Sequence, residues 1–149
     1  MNKARIHNTT HRSARGFTLL EVLIAVLVLS IGLLGLAALQ ATGMKNNHSA
    51  HIQSQATILA YDILDRMRAN RDAAQNNDYD LALNASAPSG STIAETDLAQ
   101  WRAQLAAYLP SGTGSVNVNG DMATVIVQWD DTRTEDGSAT QQLQFQSEI

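Results

Sequence analysis

The sequence predicts an α+β chain, with one long N-terminal helix whose first half is apolar on every side, followed by a small antiparallel sheet. Three observations lead there. No charged residue occurs from Val22 to Leu39, and counted from Phe17 the apolar run is 23 residues long with Glu21 as its one acid. From Ile52 to Met67 apolar residues recur at helical spacing, and from Val116 onward apolar and polar residues alternate with period two. Helix first and strands last is the order of an α+β domain.

The apolar run comes first. At about 1.5 Å rise per residue its helix covers roughly 34 Å, against about 30 Å for a bilayer core. Before it, residues Met1 to Gly16 carry Lys3, Arg5, Arg12 and Arg15 and no acid. A basic head before an apolar run is what an export apparatus recognises, with the basic end kept in the cytoplasm. The run exceeds the roughly 7–15 residues of an ordinary secretory signal, and the small-x-small site behind it, Leu39-Gln40-Ala41, is spoiled by the bulk of Leu39. A cut between Gly16 and Phe17 would instead remove the basic head and keep the apolar helix.

The residues at that junction, Gly16-Phe17-Thr18-Leu19-Leu20-Glu21 and the aliphatic run behind them, resemble the prepilin leader of type IV pilins and type II secretion pseudopilins. The resemblance implies cleavage after Gly16 by a membrane-embedded prepilin peptidase and methylation of the new amino group on Phe17. It also implies use of the apolar helix as filament core. Glu21 agrees with it on physical grounds. A carboxylate in hydrocarbon costs about 2.5–3.5 kcal/mol on insertion scales and tends to be functional there. After a cut at Gly16 the amine of Phe17 lies four residues before Glu21, on one helix face. The two could pair within a subunit or between staggered subunits. The plainer alternative places Glu21 in the headgroup layer.

Length and charge bound the remainder. The chain has 149 residues, so about 110 are left for one small domain once leader and membrane run are set aside. All 14 acidic residues follow Gly16, and only six of the ten basic ones do, so the chain from Phe17 carries a net −8. That is a poor surface for nucleic acid. There are no cysteines, so the domain holds by packing alone. Many major pilins carry a C-terminal disulfide loop, so the resemblance here points to a minor pilin or a pseudopilin.

Beyond the membrane run, Ile52, Ala56, Leu59, Ile63 and Met67 form one apolar face, with Asp62–Arg66 and Asp65–Arg68 as opposite-charge neighbours. This makes residues from about Thr18 to Arg71 one helix, residues 17–40 for the membrane or filament core and 41–71 for the soluble half. Gly32, Gly35 and Gly43 are its soft points, as bends, close contacts or mere tolerance. Many pilins kink this helix with a proline, and here no proline precedes Pro88.

Residues 72–149 are expected to form the globular part. Asp72 to Glu95 is turn-rich and without period, which predicts a loop. A short helix is expected over 97–109, with Asp97 as N-cap, Gln100 completing a capping box, Leu98, Trp101, Leu105 and Leu109 on its apolar face, and Pro110 and Gly112 ending it. Trp101 belongs to the core. Asn119-Gly120 marks a hairpin between strands, Ala123 to Trp129 is rich in Val, Ile and Thr, and Leu143 and Phe145 alternate with glutamines. Three antiparallel strands are expected over about 115–146, one face buried and one wet.

No residue set marks an enzyme or a cofactor. His7 and His11 fall in the leader. His48 and His51 stand three apart on the long helix with no acid close in sequence, so solvated helix residues are favoured over a metal site. The acidic stretch Asp130, Asp131, Glu135 and Asp136 invites a calcium reading, but Thr132 and Thr134 occupy ligand places, which favours a solvated turn. Arg66, Arg68 and Arg71 form the one basic cluster after the leader. They would meet an acidic neighbour in a filament or complement the helix C-terminus.

The order of elements also resembles the pilin fold, a long N-terminal helix packed on an antiparallel sheet. Within it, the run Gly32 to Ala37, the segment Asp65 to Arg71 and the segment Val127 to Asp131 are most similar to the PilV family of type IV pilus modification proteins, which are minor pilins. Membership implies a single pass through a bacterial inner membrane, with the C-terminal domain periplasmic. Its implied partners are prepilin peptidase, the pilus assembly platform and other minor and major pilins, and its implied role is in pilus assembly, adhesion and twitching motility. The alternatives are a type II secretion pseudopilin and, of another class, a membrane-anchored periplasmic ligand-binding or catalytic domain.

Overall fold

The computed structural model describes residues 16–133 and 137–149. The chain divides between Leu39 and Gln40 into two units. One secondary-structure element, α1, is helical over Leu19–Ala69. In the first unit, residues 16–18 are not helical and all later described residues belong to α1. No large apolar side chain from Phe17 to Leu39 is covered: Leu19 is 87 % exposed and Leu34 72 %.

The second unit holds the rest of α1, α2 over Arg71–Gln75, α3 over Ile93–Tyr108 and three strands, β1 over Thr113–Asn119, β2 over Met122–Trp129 and β3 over Gln141–Glu148. The sheet order is β1-β2-β3 and both pairings are antiparallel. The architecture is therefore α+β, a long helix followed by a three-stranded sheet.

In this unit α1 has one buried face, made by Ile52, Ala56, Leu59, Ala60, Ile63, Leu64 and Met67. Those positions follow the helical period because side chains three and four apart share a face. The sheet answers with rows fixed by register. Val116 stands opposite Val125 and Val125 opposite Phe145, while Val127 stands between Gly114 and Leu143. The β1 and β2 members of these rows are buried, but Leu143 and Phe145 on β3 are only half-buried. The expectation of one buried face thus fails in part on the third strand, which lies at the edge of the sheet. Gly114 sits where a Cβ would come within 2.6 Å of the Trp101 ring. Trp101 is fully buried and donates its indole N–H to the Leu59 carbonyl at 2.9 Å, so α3 is locked onto α1 at that point.

Four sequence expectations need correction. The long helix does not reach Arg71. Asn70, at φ −124° and ψ 53°, leaves the helical region, and α2 then adds one turn. That turn ends with Asn77 at φ 65°, its N–H donating to Ala74 while the Asp78 N–H donates to Ala73. This is the pattern of a Schellman cap, and asparagine tolerates the left-handed conformation it requires.

The second helix starts four residues before Asp97. Thr92 is its N-cap: the Thr92 hydroxyl accepts the Glu95 N–H at 3.2 Å and the Glu95 carboxylate accepts the Thr92 N–H at 3.1 Å. Thr92–Glu95 satisfies the capping box one turn early, so Asp97 and Gln100 are free for other bonds.

The stretch from Asp72 to Glu95 is more ordered than a loop without period. Beyond α2, Leu81 bridges Val116 with bonds of 2.8 and 2.9 Å in both directions, and the Asp80 carboxylate accepts the Val118 N–H at 2.8 Å. This covers the outer edge of β1. Arg102 on α3 holds the next residues. Its Nη2 donates to the carbonyls of Ala82, Leu83 and Ala85 at 2.8, 3.2 and 3.2 Å, and its Nη1 donates to the Thr113 hydroxyl.

The hairpin is shifted by one residue from Asn119-Gly120. Asn119 pairs with Met122, so the loop is Gly120-Asp121, with Gly120 at φ 62°. A glycine at the first loop position suits the turns that match strand twist. The strands also reach two residues past position 146, and terminal Ile149 is buried, its N–H donating to the Asp121 carbonyl at 2.9 Å.

Because Arg102 alone satisfies three carbonyls of one segment, Arg102→Met is expected to cost about 1–3 kcal/mol. Thermal unfolding of the full chain in detergent micelles should show a lower midpoint, and amide exchange of residues 82–85 should quicken first.

Candidate functional site

The residues singled out in the sequence fall into two separate places. The first is the start of α1. The Thr18 carbonyl accepts the Val22 N–H and the Thr18 hydroxyl accepts the Glu21 N–H, both at 3.2 Å. Thr18 is thereby the N-cap and Glu21 the third helical residue, the spacing of a capping box. Phe17 stands one residue before the cap and Val22 at the fourth helical position, the two places of a hydrophobic staple. Phe17, Glu21, Val22, Ala25, Val26 and Leu29 line one shallow groove on this unit. Phe17 and Glu21 therefore line the same groove, with Phe17 itself ahead of the first helical residue. The capping threonine went unread in the sequence, although T-x-x-E before an apolar run was its signal.

A carboxylate in the first turn also suits the positive end of the helix dipole. Behind it the α1 segment has an 18-residue window with mean hydropathy 2.9 and none of it buried, so by length and composition it is able to cross a membrane. Ser30, the polar side chain within that run, donates its hydroxyl back to the Val26 carbonyl at 2.7 Å and leaves no bare donor. An added Cβ at Gly32, Gly35 or Gly43 would meet nothing within 4 Å, and α1 is unbroken through all three. No contact among the described residues requires these glycines.

The second place is the polar network where α1 ends. Arg66 donates to Asp62 at 3.0 Å, to Asp97 at 3.1 Å and to Gln100 at 2.9 Å. The Tyr79 hydroxyl donates to the other Asp97 oxygen at 2.6 Å and accepts from the Asn70 side chain at 3.3 Å. Arg68 donates to Asp65 at 2.7 Å and to the Ser147 hydroxyl at 2.6 Å, and Arg71 pairs with Asp121 at 3.5 Å. The basic cluster thus ties α1 and α2 to α3, to β3 and to the β1–β2 loop. Tyr79, fully buried, is the member that sequence reasoning missed, since a tyrosine in a polar turn has no periodic signal.

The remaining candidates are dispersed. His48 and His51 are exposed on α1, and among the described residues no group of three or more His, Cys, Asp or Glu is placed to hold a metal. The Asp130 carboxylate accepts the Thr132 N–H at 2.9 Å, which holds its carboxyl below the usual range, and Asp131 accepts from the Ser49 hydroxyl at 2.9 Å. Glu135 and Asp136, also part of the calcium reading, lie outside the described residues, as do His7, His11 and the basic head up to Arg15.

Residues 11–37 match the family model described as a prokaryotic N-terminal methylation motif, a span that contains Gly16, Phe17 and Glu21. Residues 38–111 match the model described as type IV pilin Tt1218. The chain belongs to the type IV pilins. The second match takes in α1 from residue 38 on, α2 and α3, including Arg66, Tyr79, Asp97 and Arg102, and stops just before β1. No curated protein and no solved structure matches the chain. Type IV pilins are a structural family, and in the second unit Arg66 and Arg102 tie separate elements together.

Burial first, and the Asp97 hydrogen bond second, push the Tyr79 hydroxyl up to about 12 from an ordinary 10. The folded chain therefore holds this proton more tightly than the unfolded one. The stability it contributes is whole below about pH 10 and is lost as pH rises towards 12. Absorbance titration near 295 nm should show a late tyrosine step that Tyr79→Phe removes.

Proposed function

We propose that this type IV pilin is a non-enzymatic minor pilin of the PilV kind. Prepilin peptidase cuts it between Gly16 and Phe17, the new amine of Phe17 is methylated, and the subunit waits in the inner membrane with its second unit in the periplasm. The assembly platform then adds it beside other minor and major pilins, where it primes or modifies a pilus used in adhesion and twitching. On this reading residues 1–16 are the leader, 17–40 the membrane and filament-core helix, 41–71 its soluble half and 72–149 the globular part.

One observation carries the reading. The methylation motif lies over a helix that begins two residues after Phe17 and leaves every large apolar side chain up to Leu39 uncovered. A leader cut at Gly16 would leave that helix, its cap and its carboxylate intact on the mature chain. Lipid covers such a surface before assembly and neighbouring helices cover it afterwards. Glu21 then meets the Phe17 amine of the next subunit. The pseudopilins of type II secretion share the leader, and the match of residues 38–111 to a type IV pilin model favours the pilus.

Mass spectrometry of the protein recovered from membranes is expected to find a mature N-terminus at methylated Phe17. An intact Met1, or a start near Thr42, would refute the cleavage. Glu21→Ala and Glu21→Gln are both expected to insert and to be cut, yet to fall at least about tenfold in sheared filaments. Removing one partner of a buried charge pair costs about 2–5 kcal/mol, which is the basis of that figure. Glutamine still fits a capping box, so wild-type recovery of Glu21→Gln would assign Glu21 to the helix cap instead. Binding of the globular part to secretion pseudopilins but not to minor pilins would favour the other system.

A further inference from the structure

The two edges of the sheet are treated differently. The outer edge of β1 is closed by Leu81 and Asp80. The outer edge of β3 is open over most of its length: among the described residues the backbone of Gln141–Glu148 bonds to nothing but β2, apart from the Glu148 carbonyl, which accepts from the Arg68 side chain and the Ser147 hydroxyl. Proteins usually blunt such an edge with lysine, proline or a bulge. Here Gln141-Gln142-Leu143-Gln144-Phe145-Gln146-Ser147 has no charge and no proline, and its register with β2 runs unbroken for eight residues.

An independent feature lies beside this edge. Tyr61 on α1 packs against Phe145 with ring centroids 5.6 Å apart and planes tilted by 58°. Tyr61 is nonetheless 51 % exposed, and Ile58, one turn away on the same helix face, is 59 % exposed. Leu143 and Phe145 on the inner face of β3 are only half-covered. A row of unpaired backbone groups bordered by an apolar strip on the helix beneath has the shape of a missing strand. A fourth strand set about 4.8 Å beyond β3 would pair the backbone and drop alternate side chains onto Ile58 and Tyr61.

We propose that the β3 edge receives an extended segment of a different protein chain, apolar at alternate positions and neutral or basic in charge, added as a fourth antiparallel or parallel strand. Charge favours such a partner over a second copy. Residues 40–149 hold six basic and 13 acidic residues, a net −7. Two copies would repel each other. The inference does not depend on Glu21 or on processing at Gly16.

The test uses the full chain in detergent micelles and the peptide acetyl-Lys-Thr-Val-Thr-Val-Thr-Val-Lys-amide, with a Glu-flanked version as comparison. Amide exchange of residues 141–148 is expected to slow at least about tenfold with the Lys-flanked peptide, and less with the Glu-flanked one. Gln144→Lys and Tyr61→Lys, both at exposed positions, should abolish the slowing while exchange in β1 stays as in wild type. The proposal is overturned if residues 141–148 are not slowed in the wild-type chain, or if the slowing falls on Thr113–Asn119. It is equally overturned if protection of 141–148 appears without peptide and sedimentation shows a concentration-dependent dimer, because the occupant is then a second copy.

Discussion

The constraint that governs this chain is the uncovered surface between Phe17 and Leu39. A helix that is apolar all round has no face to give to water, and burying one large apolar side chain is worth about 1.5–3 kcal/mol. With more than a dozen such side chains exposed, the segment is bound to lipid or to other helices of its kind. The second unit obeys the opposite rule. There α1 is one-sided, with Ile52, Ala56, Leu59, Ile63 and Met67 buried while Lys45, His48 and His51 stay wet. The change from an all-round to a one-sided pattern occurs along one unbroken helix, so composition, and not a break in secondary structure, marks where the environment changes.

A domain this small without cysteines relies on packing, and its polar groups show how the pieces are kept in register. Arg66 fastens α1 to α3, Asp97 passes the contact to Tyr79, and Asn70 joins the same hydroxyl where the long helix stops. Arg102 does comparable work for residues 82–85 and the start of β1. These bonds are non-local in sequence and partly shielded from water, where a hydrogen bond to a charged group is worth about 1.5–3 kcal/mol.

What was legible in the sequence follows from how each feature is encoded. The apolar run is legible from its length and lack of charge, while the buried face from Ile52 to Met67 and the alternation of β2 are periodic, and period reports directly on burial. The match of residues 11–37 to a methylation motif bears on the same Gly16-Phe17 junction that the sequence alone had singled out. What escaped was not periodic. Tyr79, Arg102 and Leu81 act through partners 9 to 35 positions away, and nothing in their neighbours announces the partner. The start of α3 was misplaced because two capping signals overlap: Thr92–Glu95 captures the helix start, and Asp97 and Gln100, which look like a second cap, serve Arg66 instead. The half-covered state of β3 was illegible for a different reason. Alternation tells which side faces inward, but not whether enough chain remains to cover it.

Glu21 shows how magnitudes separate a local from an intermolecular role. Its position as third helical residue beneath the Thr18 cap gives it a place near the helix dipole, worth about 0.3–1 kcal/mol at an exposed site. Placing a carboxylate in the hydrocarbon costs about 2.5–3.5 kcal/mol on insertion scales. The local benefit therefore covers only part of the cost, and the difference of roughly 2 kcal/mol has to come from elsewhere if the residue leaves the headgroup layer. Before cleavage the basic head supplies Arg15 nearby in sequence; after the proposed cut the only cation left at that end is the amine on Phe17. In a bilayer the headgroup region can solvate the acid, and the balance is met without a partner. Inside a bundle of such helices water and headgroups are both gone, and the amine of the same or a neighbouring subunit is the one group that restores it. On the proposed reading, where the cation is the amine of the next subunit, a residue whose charge is tolerable in the membrane and needs a partner in the bundle would make entry to the filament conditional on how subunits are staggered.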